Sequence, residues 1–486
     1  MTPAVLLYLG APAVLYLITF MTPAFGWPLA GALVLLLWRA MRSGDGDGGP
    51  RPPTLFAAAW SLPVLALMGF GTDHFNWDWI KHWALLNTLE AQTWPVQLTL
   101  QGEPAFLRFY LGAYLVPAGL AYLTGWSIVG CTAVWYGLGL ALAFEGLGRG
   151  AGRLASLVIP LFLTMGGADG WMQTLLRPED RPISFTGFHH EWWANTLLDH
   201  PLQYSAPLSQ LLWVPHQALP CLLFVGLLLR LRRPADIGPT VLATGLLALW
   251  SPYVLIGASV LLAAQLLEPP DLRHALRHPS LATTSCGVFA AVFVGLMAWT
   301  LSHQVPQGGL CLDCVGERLT RPGAYVLFLA VELAIPALIL RGRLVQNATS
   351  VAALAILTLL PWTAGSVPDA AMRISMPPLV YLFARSALHI TQLAPRRLAP
   401  AVMAVATLSG PTAWGEATFH LEGGARHAAL PAHDPLAARS YVVWARRSDY
   451  AVTEFFDICG WKWRPQYFSS TPPPTWPGLP TTPSSR

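Results

Sequence analysis

Long apolar runs separated by polar gaps dominate this chain, and most runs are near the length that crosses a bilayer as a helix. The runs are continuous and do not alternate with polar residues, which favours helices over membrane strands. We therefore predict an all-α fold, a polytopic transmembrane helical bundle of about 13 spans. The predicted spans are residues 3–22, 27–41, 54–70, 127–147, 153–167, 213–231, 239–252, 253–267, 283–301, 323–340, 347–363, 377–392 and 398–413.

The composition supports a membrane protein, because 54% of the 486 residues are hydrophobic and 11% are charged. Soluble domains carry about twice that share of charged residues, roughly 25%. No basic residue precedes the first apolar run, so we interpret it as a retained span and not as a cleaved signal. The chain has two lysines, Lys81 and Lys462, and no basic stripe, which argues against nucleic-acid binding.

Arginine positions predict how the chain is oriented in the membrane. Six arginine clusters can all lie in the cytoplasm only if residues 107–124 do not cross the bilayer. That segment would then be a second juxtamembrane or re-entrant helix. The longer polar loops fall on the opposite side under the same rule. We expect an integral inner (cytoplasmic) membrane protein whose active site, if it has one, faces the periplasm or exterior.

Three regions of different character divide the chain. Residues 1–413 form the predicted transmembrane domain. Residues 414–464 are too few for an independent core, and we expect them to pack on the outer loops. Residues 465–486 are rich in Pro, Ser and Thr and are predicted to be disordered.

Residues 71–96 concentrate polar side chains in a chain that has few of them, among them Asp73, Asp78, Lys81 and His82. A helix capped by Asn76 or Asp78 and running to about Gln92 would place Asp78 and His82 on one face.

Three tryptophans, Trp77, Trp79 and Trp83, would hold this helix at the membrane boundary, where a carboxylate can meet lipid-borne and water-borne groups. The alternative is that Asp78 only caps the helix and His82 only contacts headgroups.

The loop at residues 168–212 holds a second set of acids and histidines. Asp169 or Glu191, together with Asp78, could bind a divalent cation such as Mg or Mn. His189 and His190 are candidates for substrate binding, and contact with lipid headgroups is their alternative role. The motif H-E-x-x-H of zinc proteases is not completed after Glu191, which argues against that class.

Two further segments offer groups for an anion. His216 and Gln217 follow Pro215 at the start of a predicted span, where the positive helix end favours phosphate. A routine polar first turn is the alternative. Arg373 lies beside a predicted outer end, and its planar guanidinium matches phosphate. Snorkelling, or a pair with Asp369, is the alternative for Arg373.

Two cysteines, Cys311 and Cys314, fall on the predicted outer side, where oxidation favours a local disulfide. No second pair stands at a spacing suited to zinc. Cys131, Cys221 and Cys286 lie inside predicted spans and are expected to be small core residues.

Three motifs together resemble the GT-C superfamily of integral-membrane glycosyltransferases. They are DWIKHWALLNTLEAQTWP after an early span, RFYLGAYLVPAGLAYLTG after it, and PDAAMRISMPPL near the end. In that superfamily the helix corresponding to residues 107–124 lies outside the bilayer. The resemblance covers residues 54–390. It implies transfer of a sugar, with inversion, from a polyprenyl-phosphate-linked donor to a glycan, lipid or protein acceptor.

The resemblance also implies roles for single residues. Asp78 would be the general base, with Asp73 as the second candidate, and His82 would orient Asp78.

Arg373 would neutralise the leaving phosphate with help from His216, Lys81 and Arg108. Positioning and one base could suffice for this chemistry without a metal, and a divalent cation, Mg or Mn, is the alternative. A transporter or flippase of lipid-linked glycans and a non-catalytic membrane assembly factor are the competing interpretations.

Overall fold

The structure is a computed structural model that accounts for most of the chain. It describes residues 2–42, 55–71, 75–76, 78–149, 151, 154–176, 191, 193–194, 197–198, 202–302, 319–340, 351–352, 354, 370–428, 451–459 and 467–470. Most of these residues are helical, in agreement with the predicted class.

The helices follow the apolar runs of the sequence. They are α1 (Thr2–Thr19), α2 (Pro23–Arg42), α3 (Leu55–Leu67), α4 (Asp78–Ala91), α5 (Leu115–Thr124), α6 (Ile128–Gly148), α7 (Ala155–Thr164), α8 (Asp169–Leu176), α9 (Pro207–Trp213), α10 (Pro215–Leu228), α11 (Ile237–Trp250), α12 (Pro252–Leu267), α13 (Pro270–Arg277), α14 (Leu281–Ser302), α15 (Pro322–Leu340), α16 (Ala370–Thr391), α17 (Pro395–Leu408), α18 (Gly410–Ala428) and α19 (Val452–Cys459). A 3₁₀ turn at Pro234–Asp236 precedes α11.

Five of these helices, α1, α2, α6, α14 and α15, are long and apolar enough to cross a membrane. The number is six if α12 and α13, which are bent by 105° to each other, count as one span. The chain is therefore a multi-pass helical membrane protein. The figure of about 13 spans stays a prediction, because α7, α11 and α12 have 10, 14 and 16 residues, short of the ~20 that cross a bilayer.

Two predicted spans are broken by proline. Residues 213–231 were expected to form one helix, but the chain leaves helical geometry at Val214, with φ −129° and ψ 53°, between α9 and α10. Pro215 disfavours the helical region for the residue before it, and it then fits the first turn of α10. Residues 398–413 are likewise divided between α17 and α18, and Pro411 lies at the second position of α18.

A small antiparallel sheet corrects the all-α prediction. Strands β1 (Gln97–Leu100) and β2 (Glu103–Leu107) form a hairpin, and β3 (Phe468–Ser469) pairs with the other side of β2. Gln101 and Gly102 both have positive φ, 53° and 81°, which is the backbone of a two-residue hairpin turn.

Helix α5 is the helical part of residues 107–124, and its 10 residues extend about 15 Å, half of a bilayer core. Helix α5 is therefore too short to cross a bilayer alone, and the position of residues 107–124 outside the bilayer stays a prediction. Gly125, with φ 70°, ends it in the left-handed conformation.

The last described residues of the chain pack on α4 and β2. Helix α19 packs against α4, and the Phe456 ring lies near Tyr467 and Phe468. Tyr467–Ser470 belongs to the segment predicted to be disordered, yet its residues pair with β2. Ordered packing of the C-terminal segment therefore extends past residue 464, whereas its place on the outer side stays a prediction.

The buried face of α4 packs in an aromatic cluster. Trp79 and Trp83 are fully buried, and their rings pack with those of Phe70, Phe75 and Tyr136 at centroid distances of 4.9 to 6.2 Å. Trp79 and Trp83 therefore face protein and do not anchor α4 to lipid, and the position of α4 at the membrane boundary stays a prediction. The same helical spacing serves lipid contact and protein contact, and here the protein surrounds both rings. Trp77 lies outside the described residues.

Candidate functional site

Asn76 lies two residues before helix α4 and forms hydrogen bonds with its first turn, where Asp78 is located. The Asn76 Oδ1 atom accepts a hydrogen bond from the Asp78 N–H at 3.1 Å, and the Asn76 carbonyl accepts from the Trp79 N–H. The helix ends at Ala91, one residue from the predicted end at about Gln92. The Asp78 carboxylate pairs with Lys81 Nζ at 3.1 Å, and the two side chains are 18% and 17% exposed. The carboxylate is thus within reach of solvent at the first turn of α4.

His82, one turn further along α4, faces the protein interior. Its Nδ1 atom lies 2.7 Å from the Tyr114 hydroxyl, and its ring centroid lies 4.7 Å from that of His216. Burial raises the pKa of the Tyr114 phenol well above its usual range, so the phenol keeps its proton. Because Nδ1 is bonded to Tyr114 and Asp78 to Lys81, the expected orienting contact from His82 to Asp78 is not formed.

His216 and Gln217 bring the first turn of α10 to the same place. Gln217 Nε2 donates to the Tyr110 hydroxyl at 3.2 Å, and the Tyr110 ring stacks on His216 at 5.7 Å. Three buried atoms, His82 Nε2, His216 Nδ1 and Gln217 Oε1, have no hydrogen-bond partner among the described residues. Buried polar atoms normally have a hydrogen-bond partner, so these three atoms could form further hydrogen bonds with a ligand.

Arg373 reaches this region from the first turn of α16. Gly257 of α12 lies so close to the Ile374 carbonyl oxygen of α16 that a Cβ atom at position 257 would collide with it. The two helices therefore approach closely at this point. The Arg373 guanidinium lies 6.0 Å from the centre of the Tyr253 ring. Burial, followed by the positive charges of Lys81 and Arg373, holds the pKa of His82 well below its usual range. The His82 imidazole therefore stays neutral at pH 7, with two cations near enough to disfavour its protonation.

The depressed pKa of His82 predicts an acid-sensitive fold. Unfolded chains take up a proton on histidine near pH 6.5, whereas folded His82 does so only at lower pH. More protons are then bound in the unfolded state, so stability falls as the pH drops below 6.5, by up to ~1.4 kcal/mol per pH unit from this group.

His82→Asn, which can retain a bond to Tyr114, should reduce this loss of stability with falling pH. Thermal unfolding in detergent between pH 5 and 8 measures it, and equal slopes for both proteins would refute it.

Arg108 lies at the end of β2 and is 2% exposed. Its backbone N–H donates to the Tyr467 carbonyl at 2.7 Å, which anchors β3. Burial lowers the pKa of its guanidinium. A side chain this deeply buried can touch a ligand only if the residues that cover it move.

Asp169 and Glu191, the metal-ligand candidates, belong to a separate buried network. The Trp193 indole N–H lies 2.9 Å from Asp169 Oδ1 and 3.2 Å from Glu332 Oε1. Glu191 Oε1 accepts from the Ala206 amide at 2.7 Å. These carboxylates therefore accept hydrogen bonds from N–H groups.

Within the described ranges, no group of three or more His, Cys, Asp or Glu side chains is arranged to hold a metal ion. The binding of Mg or Mn stays a prediction. Several other candidates lie outside the described residues, namely Asp73, His189, His190, Cys311, Cys314 and Asp369. Three of the other four cysteines, Cys131, Cys221 and Cys286, are buried and unbridged, as expected of core residues.

Sequence reasoning missed four contributors to this region. Tyr110 and Tyr114 provide the hydroxyls that meet Gln217 and His82, and their four-residue spacing in an apolar stretch was the available signal. Glu416 and His420, also four residues apart, lie just after the last predicted span, and His420 contacts Asn76.

The gathered groups have complementary chemistry. Asp78 can accept a proton, Lys81 and Arg373 can bind an anion, and neutral His82 and Gln217 can form hydrogen bonds. No family model, curated protein or solved structure matched this chain. The functional argument therefore rests on the chemistry of these side chains and on the motifs of the sequence.

Proposed function

We propose that this protein is an inverting membrane glycosyltransferase of the GT-C type. It would take a sugar from a polyprenyl-phosphate donor at the outer face of the inner membrane. The observation that carries the proposal is the approach of His82 on α4 to His216 on α10, with ring centroids 4.7 Å apart, next to the Asp78–Lys81 pair. Arg373 of α16 is close enough for its charge to act on His82. These segments are far apart in sequence, and each was a candidate on other grounds.

The proposed reaction needs one base and a stabilised leaving group. Asp78 accepts the proton of the acceptor hydroxyl while the hydroxyl oxygen attacks the anomeric carbon from the face opposite the phosphate. The bond from the anomeric carbon to the phosphate oxygen breaks, and its electron pair stays on polyprenyl phosphate. Arg373 and Lys81 offset the growing negative charge. His82 has an indirect role, because its Nδ1 atom is hydrogen-bonded to the Tyr114 hydroxyl and not to Asp78.

The charged and the neutral side chains of the site have different roles. The neutral imidazole of His82 cannot add a positive charge beside Lys81 and Arg373. Anion binding therefore falls to the Lys81 ammonium and the Arg373 guanidinium. A donor delivered by lipid fits a multi-pass protein, since nucleotide-activated sugars are absent at the outer face.

Arg373→Gln should lower sugar transfer by ~10- to 100-fold, because a charge-assisted contact with the phosphate is lost. Arg385→Gln, on the same helix three turns further along, is the matched control and should keep wild-type activity. Initial rates over a range of donor concentrations measure both. Equal rates for the two variants would remove Arg373 from the site.

A transporter of lipid-linked glycans is the second candidate. Glu332 is buried in α15, where it shares the Trp193 N–H with Asp169, and ionisable groups inside spans often mark transport pathways. Under this alternative, reconstituted protein moves a lipid-linked glycan across vesicles without covalent change, and Glu332→Gln stops the movement. Conversion of the donor to free polyprenyl phosphate would favour the transferase.

A further inference from the structure

Asn76 joins three segments through one fully buried side-chain amide. Its Oδ1 accepts from the Asp78 N–H at 3.1 Å, and its Nδ2 donates to the Leu212 carbonyl at 2.7 Å. Nδ2 also lies 3.2 Å from Nε2 of His420, a residue of α18. The same amide therefore holds the start of α4, the end of α9 and a helix from the far end of the chain.

The chemistry of the amide fixes the state of His420. An Nδ2 group only donates, so His420 Nε2 must accept, and the ring hydrogen of the neutral form must sit on Nδ1. That Nδ1 lies 2.9 Å from the Glu416 carbonyl and 3.9 Å from Glu416 Oε2. The Trp213 indole donates to the same carboxylate oxygen at 2.9 Å, which fixes Glu416 in turn.

Burial makes these bonds hard to replace. Asn76 and Glu416 are fully buried, and His420 is 5% exposed, so water cannot readily take over a lost bond. The Leu212 carbonyl and the Asp78 N–H select one orientation of the Asn76 amide, and His420 Nε2 accepts from the N–H₂ group in that orientation. If the amide turned over, its oxygen would face the Leu212 carbonyl and its N–H₂ would face the Asp78 N–H.

We propose that His420, held by Glu416, is a positioning residue that fixes the Asn76 amide and thereby the Asp78 carboxylate. The inference rests on the proposed function in that Asp78 is taken as the base. Because Leu212 lies just before the break at Val214 that leads into α10, the same amide also sets the spacing between Asp78 and His216.

Two amide variants separate positioning from packing. His420→Gln places an acceptor near the original Nε2, whereas His420→Asn can replace only the Nδ1 contact to Glu416. We expect kcat within about threefold of wild type for Gln and at least ~10-fold lower for Asn, with the donor KM within about twofold. Equal kcat values for the two variants would overturn the inference, and so would a change confined to melting temperature.

A second variant keeps the test decisive if His420→Asn does not fold. Asn76→Ser retains a hydroxyl that can accept from the Asp78 N–H but cannot extend to His420. It should lose kcat to the same degree as His420→Asn. Wild-type kcat in Asn76→Ser would refute the inference. His274→Asn is the control, because it makes the same replacement on α13, which contributes no residue to the proposed site, and it should keep wild-type kcat.

Hydrogen exchange tests the positioning without any sugar transfer. Amides of residues 78–81 should exchange faster in His420→Asn than in wild type, while His420→Gln stays close to wild type. Unchanged exchange in His420→Asn would refute the inference even in an active enzyme. Faster exchange in a protein that consumes no donor would retain the positioning role and reject the glycosyltransferase proposal.

Discussion

Asp78→Asn is expected to reduce sugar transfer by ~10²- to 10⁴-fold while the protein stays folded, because a general base contributes about that factor. The amide keeps the shape of the side chain but cannot take the proton of the acceptor hydroxyl. The lost pair with Lys81 is partly exposed and should cost less than ~1 kcal/mol of stability. Initial rates with purified protein, together with a thermal unfolding curve, measure both effects.

Asp236→Asn is the matched control for this experiment. Asp236 also forms an ion pair across three residues, with Arg233 at 3.1 Å, but it lies before α11 in an arginine cluster assigned to the cytoplasm. It should retain wild-type transfer and show a similarly small change in melting temperature. Full activity in Asp78→Asn, with the control equally active, would exclude Asp78 as the base.

Trp79→Ala is expected to give the largest loss of stability, about 3–5 kcal/mol, because it empties a fully buried site. The ring supports His82 at a centroid distance of 5.3 Å and contacts Phe75 and Tyr136. Transfer should fall as well, since His82 and its bond to Tyr114 lose their support. Denaturation in detergent measures the loss.

Trp126→Ala provides the comparison for that variant, since Trp126 is 67% exposed. An exposed tryptophan leaves no protein cavity, so its replacement should change stability by less than ~1 kcal/mol. Similar losses for the two variants would show that Trp79 does not have the packing role assigned to it.

The local parts of the site could be predicted from the sequence. Asn76 and Asp78 are strong helix-start residues, and they place the first turn of α4 without any long-range information. The arginine pattern also predicts that residues 107–124 do not cross the membrane, and the 10-residue length of α5 agrees with that prediction without testing it.

Contacts between distant segments could not be predicted. Trp79 and Trp83 have the spacing of a lipid-facing stripe, and only the surrounding helices show that their rings face protein. The bond between Asn76 and His420 joins residues 344 positions apart. The sequence analysis does not predict the hairpin. Gln101 and Gly102 form its turn with positive φ, but Gln-Gly is a weaker turn signal than Asn-Gly or Asp-Gly.

The pairing of His82 with Tyr114 shows why shared helical faces mislead. Asp78 and His82 stand four residues apart, which suggested a direct contact between them. Each instead has a nearer partner, Lys81 for the carboxylate and the Tyr114 hydroxyl for the imidazole. Competition from a buried phenol decided the outcome, and that phenol lies in a different segment.

The most direct test of the account is a donor assay with purified protein in lipid vesicles. Wild-type and Asp78→Asn proteins are each incubated with a panel of radiolabelled polyprenyl-phosphate sugars and a mixture of acceptors, and the label that leaves the lipid is counted. We predict that at least one donor loses its sugar to the wild-type protein, with inversion, and that Asp78→Asn leaves it intact. Release of label from no donor, or equal release by both proteins, would contradict the central claim that Asp78 is the base of a lipid-linked sugar transfer.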